Sequence, residues 1–436
     1  MMAEHNVTVE NTLQTLLKEK KYATIRDILV TMNPADVAAV FSGCEPEQLP
    51  LLFRLLPKEE AAECFVEMES DQQELLIKGL SDSELRQVMD ELYVDDAVDI
   101  VEEMPANVVQ RILSQAAPEM RKEINDILQY PENSAGSVMT TEYVSLNPNM
   151  TVGDAILRIR QTGVDKETIY TCYVLKNRLL IGTVTVKDLL LAPSDMQTIE
   201  SVMDTGGNVI TVTTYTDQEE VARMMSKYNL LAIPVLDGDN RMVGIVTFDD
   251  AMDVMEEETT EDIERMGGVI DRTDREYLDM SVLQHVRARL PWLFLLMCSY
   301  FITGGIIQSF EDALSQVISL VIYMPLLMGT GGNSGSQSST LVIRGMATGD
   351  IELEDFLKVI WKEIRIAIIV GVCLSAINYI RIVLLDHNPP GVAVTVCLSM
   401  IVIVIIAKVI GSMLPMLAKK IGIDPALMAG PMMCAP

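Results

Sequence analysis

The stretch Pro325–Asp350, PLLMGTGGNSGSQSSTLVIRGMATGD, lies within an otherwise apolar part of the chain. Its Gly, Asn, Ser, Gln and Thr residues place backbone carbonyls and side-chain oxygens at membrane depth, where lipid cannot satisfy them. Such groups persist only against other protein or along a water-filled path. The segment therefore points to a conduit for something hydrated rather than to a lipid-facing helix.

Working outward, charge divides the 436 residues in two. Residues 1–285 carry a net charge of −30 and residues 286–436 a net of +1, together the −29 of the whole chain. The first part reads as soluble and strongly acidic, the second as membrane protein. An acidic surface repels nucleic acid and attracts cations, so no nucleic-acid partner is expected. Taken alone the acidic region could be a merely solvated surface. Its place directly upstream of a pore-like segment favours cation binding. The seven cysteines have no CxxC spacing, which predicts reduced thiols and a cytosolic soluble part. The N-terminus lacks a basic and apolar leader, so no cleaved signal is expected.

Residues 7–130 show apolar positions at spacings of three and four, punctuated by NPAD (33–36), EPEQ (45–48), LPKEE (56–60), LSDSE (80–84), MPAN (104–107) and APEM (117–120). Asp, Ser or Pro at these points starts a helix, and acids in the first turn suit its dipole. Residues 1–130 are thus expected to be an all-α superhelix of short stacked helices.

Residues 131–255 contain a tandem repeat. SVMTTEYVSLNPNMTVGDAI opens one copy and SVMDTGGNVITVTTYTDQEEV the other; IGTVTVKDLL and VGIVTFDDAM close them. Each copy reads as strand, helix, strand, strand, helix, with YTCYVL and LAIPVLD as buried strands. This resembles an α/β CBS-domain pair, a module that often binds adenine nucleotides such as ATP. Tyr170 and Asp188 are either adenine and ribose contacts or ordinary packing and capping residues.

Residues 252–285 are expected to form one long acidic-to-amphipathic helix, with Gly267–Gly268 the place to bend or fray. In domain terms, 256–285 is a connecting plug helix and 286–436 a transmembrane pore domain. Five hydrophobic segments follow, near 291–309, 313–342, 359–385, 392–417 and from Asp424 onward. A span needs about 20 apolar residues, and the 13 from Asp424 to Pro436 leave the fifth incomplete. Arg287, Arg289, Arg344, Lys358, Lys362, Arg365, Lys419 and Lys420 lie at one set of ends, which predicts a multi-pass plasma-membrane protein with its N-terminal half in the cytosol.

The order of helical acidic domain, CBS pair, connecting helix and membrane domain resembles the MgtE family of magnesium channels. So do the Pro325–Asp350 run, the SFED turn and IGIDPALMAGP. Ligand chemistry agrees independently. Mg²⁺ is hard, keeps several waters and takes carboxylate and carbonyl oxygens. The acidic residues offer only oxygen, and His5, His285 and His387 are scattered. The same inventory admits Ca²⁺, Mn²⁺ and Co²⁺.

Several acids repeat at helical spacing: Asp249, Asp250, Asp253, Glu257, Glu258, Glu261 and Asp262. Repulsion between neighbours such as Asp250 and Asp253 costs about a few tenths of a kcal/mol per pair, which a bridging divalent ion relieves. The resemblance implies that Mg²⁺ bound between the domains holds the pore shut. It implicates Asp250, Asp253, Glu258, Glu261 and Asp262, with Asp424 from the membrane side, Asp217 and Glu219 from the repeat pair, and Asp95 and Asp99 from the helical domain. Near Ser226 and Asn229 an acid expected from the resemblance is missing. For conduction, Pro325 is expected to break the second span and free a carbonyl. Asn333 is the best pore candidate, the glycines mostly pack helices, and Glu311 faces either the pathway or the outer water. The resemblance also places a pore aspartate beyond the DPA motif, past Pro436, so the chain reads as a fragment or truncated product.

The reading is a homodimeric Mg²⁺ channel in the lipid bilayer, with Mg²⁺ as both substrate and regulator and no enzymatic activity: a nucleophile elbow, a P-loop and a histidine cluster are all missing. The alternative is a non-conducting, membrane-anchored Mg²⁺ sensor.

Overall fold

The computed structural model describes residues 12–205, 209–269, 280–312 and 317–428. It forms two compact units, Met1–Met255 and Glu256–Pro436.

The first unit begins with short helices from residue 12 to Ile127. Their starts follow the punctuation of the sequence. The Asn33 side chain accepts from the Ala35 amide and Pro34 fills the first helical position. Ser81 and Glu84 close a capping box at the start of Asp82–Met89. Arg111 donates to the Ile77 and Leu80 carbonyls, satisfying the C-terminal end of the helix Ser70–Gly79. Leu13, Ile25, Leu52, Phe65, Leu76, Leu85 and Ile112 are almost wholly buried in one core. That core continues into the repeat pair through Met139, Val221, Ile233 and Val254.

The two repeats fold alike. In the first, β1 (Tyr143–Leu146) runs parallel to β2 (Thr168–Lys176), which pairs antiparallel with β3 (Leu179–Thr185). In the second, β4 (Val212–Thr213), β5 (Ala232–Leu236) and β6 (Met242–Thr247) repeat that order and polarity. Each repeat borrows its entry segment from the other. Thr140, ahead of β1, bridges Ile245 on β6, and Asp204, ahead of β4, bridges Thr183 on β3. Gly182 and Gly244 permit this approach, because a Cβ on either would lie 2.5 Å from the Asp204 carbonyl oxygen or 2.7 Å from that of Thr140.

Six helices among the described residues, three of them in the second unit's bundle, carry most of the residues discussed below. α1 (Val94–Glu103) lies in the helical domain. α2 (Phe248–Gly267) leaves the second repeat. It is shorter than the single 252–285 helix expected: it stops at Gly267, and Gly268 adopts a left-handed φ of +71°. A separate helix, α3 (Val282–Ser309), starts at a capping box of Ser281 and Gln284. Residues 270–279 lie outside the described residues.

In the second unit, α4 (Met324–Ala347), α5 (Phe356–Leu384) and α6 (Pro390–Lys420) pack together, with α6 touching both of the others. Among the described residues, three stretches are long and apolar enough to cross a membrane: Val282–Ser309, Leu353–Leu384 and Pro390–Lys420. α4 is more polar and begins later than the 313–342 segment read from sequence, after a 3₁₀ turn at Ile318–Tyr323. Pro325 lies in its first turn, where the missing N–H has no intrahelical partner to lose, so it starts the helix instead of breaking a span. The fifth segment is described only through Met428, with a 3₁₀ turn at Pro425–Met428.

Candidate functional site

The acidic centre is built from three parts of the first unit. α1 contributes Asp95 and Asp96 in its first turn, where carboxylates suit the dipole, and Asp99 one turn on. Glu142 precedes β1, and Glu167 precedes β2 and donates its amide to the Glu142 carbonyl. The second repeat supplies Asp249 and Asp250 in the first turn of α2. Local chemistry fixes Asp250: the Thr247 hydroxyl and amide both donate to its Oδ2.

One oxygen each from Asp95, Glu142 and Glu167 lies within 4.8 Å of the others. Asp95 is only 7 % exposed. Asp95 Oδ1, Glu142 Oε2 and Glu167 Oε2 are buried and accept no hydrogen bond. Buried acceptors without donors are costly, and three beside one another define a gap in the protein's own hydrogen bonding.

The titration of these groups records the same imbalance. Burial, then Asp250 and Asp96, pushes Asp95 well above the ordinary carboxylate range. Burial raises Asp96 to about 7, with Asp250 and Asp249 adding to it. Glu167 rises to about 8 through burial and then Asp96 and Asp250. Burial lifts Glu142 to about 7, against the opposing pull of Lys166 and the Val94 amide. Asp250 rises to about 6 through burial, held down in part by Thr247. Asp99, at the solvent-facing edge of α1, is also raised, by desolvation and then Asp250 and Asp96. An all-oxygen set with unused buried acceptors fits a hard divalent cation.

Of the residues expected to bind metal, Asp95, Asp99 and Asp250 come together here. Asp217 and Glu219 lie apart from this centre in role: Asp217 caps the helix Gln218–Tyr228 by accepting from the Glu219 amide, and both are exposed. Asn229, near which the resemblance calls for an acid, ends that helix in the left-handed conformation (φ 53°), which Asn tolerates. Asp253 is exposed on α2, and Glu258 and Asp262 are half-buried farther along it. In the second unit Arg265 pairs with both Glu261 and Asp424, while Asp424 also accepts from the Ala426 amide at 2.7 Å. Glu142 and Glu167 escape a reading of the sequence: each lies in a connection, without periodic or motif context.

Asp188 closes a capping box with Thr185 and is exposed; Asp250 bonds to Thr247 in the same way one repeat later. Tyr170 stands 66 % exposed on β2.

The polar helix α4 has two faces. Gly331, Ser334, Gly335, Ser338, Ser339 and Val342 are buried, and a Cβ on Gly411 of α6 would run into the Gly335 carbonyl. On the other side Gly329, Asn333, Gln337, Thr340 and Arg344 are exposed. Glu311, with Gly304, Gln308 and Met324, lines a cavity of about 420 Å³.

Comparison with known proteins covers the domains that carry these residues. Residues 324–435 match the MgtE divalent cation transporter family, residues 32–133 the MgtE intracellular N domain, and residues 135–195 and 199–257 the CBS domain. The magnesium transporter MgtE of Thermus thermophilus is 36 % identical over 425 residues, covering 96 % of this chain and 93 % of the relative. That of Bacillus subtilis is 30 % identical over 420 residues, covering 96 % and 91 %. The crystal structure of the cytosolic domain of the Mg²⁺ channel MgtE in complex with ATP superposes with a TM-score of 0.53 at 34 % identity, over 56 % of this chain and 99 % of that one. The helical N-terminal domain is thus cytosolic, and the apolar helices embed in the membrane. With its intracellular domain, CBS pair and membrane helices all accounted for, the chain belongs to the MgtE family of divalent-cation transporters.

Proposed function

We propose that this chain carries Mg²⁺ across the membrane and that divalent cations bound at its acidic cytosolic centre hold it closed. The observation that carries the transport reading is the exposed polar stripe Gly329–Asn333–Gln337–Thr340 on a helix packed among apolar membrane helices. At membrane depth such a stripe must face protein or water. Facing a second copy of the chain around a shared path satisfies that demand, and we propose a homodimer on this ground. Its hydroxyl and amide oxygens suit an ion that retains its inner waters.

Asp95, Glu142 and Glu167, with Asp96 and Asp250 beside them, would hold the regulatory ion. Bound there, a divalent cation supplies the positive charge that these carboxylates lack. The residues themselves join the helical domain to both repeats, so neutralising them favours the compact arrangement. Scarcity of the ion leaves mutual repulsion, and the population shifts away from that arrangement by the differential affinity alone. On the membrane side, Glu261 and Asp424 with Glu258 and Asp262 are proposed as a further contribution to closure. The repeat pair is proposed to take ATP near Tyr170 and Asp188, in keeping with the ATP-bound cytosolic relative. Glu311 would meet the ion at the outer end of α3.

Mg²⁺ flux into proteoliposomes holding this chain, with free Mg²⁺ stepped on the cytosolic face, tests the reading. Flux that falls as cytosolic Mg²⁺ rises is expected. Absence of flux, with Mg²⁺ still protecting the soluble part from protease, overturns transport and leaves a membrane-anchored sensor.

A further inference from the structure

Within the membrane unit, one buried group of charges takes no part in the proposed path. Glu363 on α5 is 8 % exposed, Lys408 on α6 is 5 % exposed, and Ser338 on α4 is fully buried. The Ser338 hydroxyl donates to Glu363 Oε2 at 2.6 Å and accepts from Lys408 Nζ at 3.1 Å; the ammonium lies 3.8 Å from the same carboxylate oxygen. One residue from each of three membrane helices thus meets at a single hydroxyl, which acts as donor and acceptor at once.

We propose that Ser338, Glu363 and Lys408 form an intramembrane charge latch that fixes the rotation of α4 and so holds the Asn333–Gln337–Thr340 stripe toward the ion path. This rests on the transport reading above. The argument is geometric. At 3.6 residues per turn, Ser338 lies about half a turn around the helix from Thr340 and Asn333. Anchoring Ser338 inward therefore points the stripe outward. The close approach of Gly335 to Gly411 sets which face of α4 meets α6, and the charged group adds a directional, polar restraint to that steric one. A buried ion pair is best suited to setting register, because any rotation that separates the charges leaves them unpaired in an apolar medium. The pair is also electrically closed. Lys408 neutralises Glu363, so the site presents no net negative charge to a divalent ion, and its members are positioning residues rather than ligands.

The test uses the full chain in proteoliposomes, with its native cysteines replaced and a single reporter thiol introduced by Thr340→Cys or by Leu341→Cys. Adjacent helical residues point about 100° apart, so the ratio of labelling at position 340 to labelling at position 341 by a membrane-impermeant maleimide reports the rotation of α4. The double variant Lys408→Met with Glu363→Leu removes both charges and keeps apolar volume, a change that buried pairs commonly tolerate. Its folding is checked by its unfolding temperature, and Ser338→Ala removes only the hydroxyl bridge. The double variant is expected to lower that labelling ratio roughly fivefold and the maximal Mg²⁺ flux about tenfold, with the half-saturating Mg²⁺ unchanged. Ser338→Ala should move both readouts in the same direction, and Lys408→Arg should preserve both. An unchanged ratio in the double variant and in Ser338→Ala overturns the latch, whatever the flux. A ratio that shifts in a chain carrying no Mg²⁺ flux at all retains the latch and overturns the transport reading instead.

Discussion

The carboxylates of Asp95 and Glu167 lie within 4.8 Å of one another, although one sits on a helix of the N-terminal domain and the other at the entry to a strand of the first repeat. Neither Asp95 Oδ1 nor Glu167 Oε2 has a hydrogen-bond donor. Two like charges placed this way cost free energy unless a proton or a cation intervenes.

The first consequence concerns pH. Asp96, Glu142, Glu167 and Asp250 are raised by burial to about 7, 7, 8 and 6. In the unfolded chain such groups ionise near pH 4. Between these limits the folded state binds more protons than the unfolded one, so stability falls as pH rises. Without divalent cations, the cytosolic part is expected to unfold at a lower temperature at pH 8 than at pH 6. Added Mg²⁺ should raise that temperature more at pH 8, where it displaces fewer protons. Calorimetry in chelator and in Mg²⁺ checks both; stability that increases from pH 6 to pH 8 in chelator would contradict the assignment.

Neutralising the centre should mimic the ion. Asp95→Asn combined with Glu167→Gln is expected to stabilise the ion-free protein at pH 8 by roughly 1–3 kcal/mol, the scale of a buried polar group relieved of its charge. The same variant should lose most of its protection by Mg²⁺ against protease. Limited proteolysis across a Mg²⁺ titration measures this, and wild-type protection in the variant would remove these two residues from the binding set.

Arg265 stands between Glu261 and Asp424, which are both proposed to take part in closure. Its guanidinium competes with a divalent ion for the same carboxylates. Arg265→Gln is expected to lower the Mg²⁺ concentration needed for half-maximal closure several-fold, read as flux inhibition. A rise in that concentration would make Arg265 a support of closure instead of a competitor.

Packing predictions follow from two close approaches. Gly182→Ala and Gly244→Ala each drive a Cβ into the backbone carbonyl of Asp204 or Thr140. Overpacking of this kind costs about 1–3 kcal/mol, and a lowered unfolding temperature of the cytosolic part is expected from each. Gly411→Val should separate α6 from α4 at Gly335 and abolish flux while leaving the cytosolic transition in place.

Much of this molecule is written locally and is legible in the sequence. The Ser81 and Asn33 caps, the repeat with its strand order, and the MgtE-like Pro325–Asp350 run each depend on residues near one another in the chain. The acidic centre is only half legible for the same reason. Asp250 repeats at helical spacing with Asp253, and the resemblance points to Asp95 and Asp99, whereas Glu142 and Glu167 lie in connections and gain meaning only once the fold brings them to α1. The expected connecting helix is too long because amphipathic spacing continues past Gly267, while the left-handed φ of Gly268 stops it. Pro325 makes a start where a break is expected, since sequence alone does not say which turn of a helix a proline occupies. Lys408 carries a visible signal, a lone ammonium in the apolar run of α6, but its partner is named only when α5 and α6 lie side by side.

The exchange of entry segments between the repeats reaches beyond their own stability. Because Thr140 completes the second sheet and Asp204 the first, a single repeat would expose a raw edge at the place where its sibling now binds. Two separate copies would find in each other what the tandem chain supplies covalently, so the pair is by construction an internal dimer. The ion proposed at Glu167 and the nucleotide proposed near Asp188 would each act on a repeat that is tied to its twin through these exchanged segments, and β6 of the second repeat leads directly into the acidic first turn of α2.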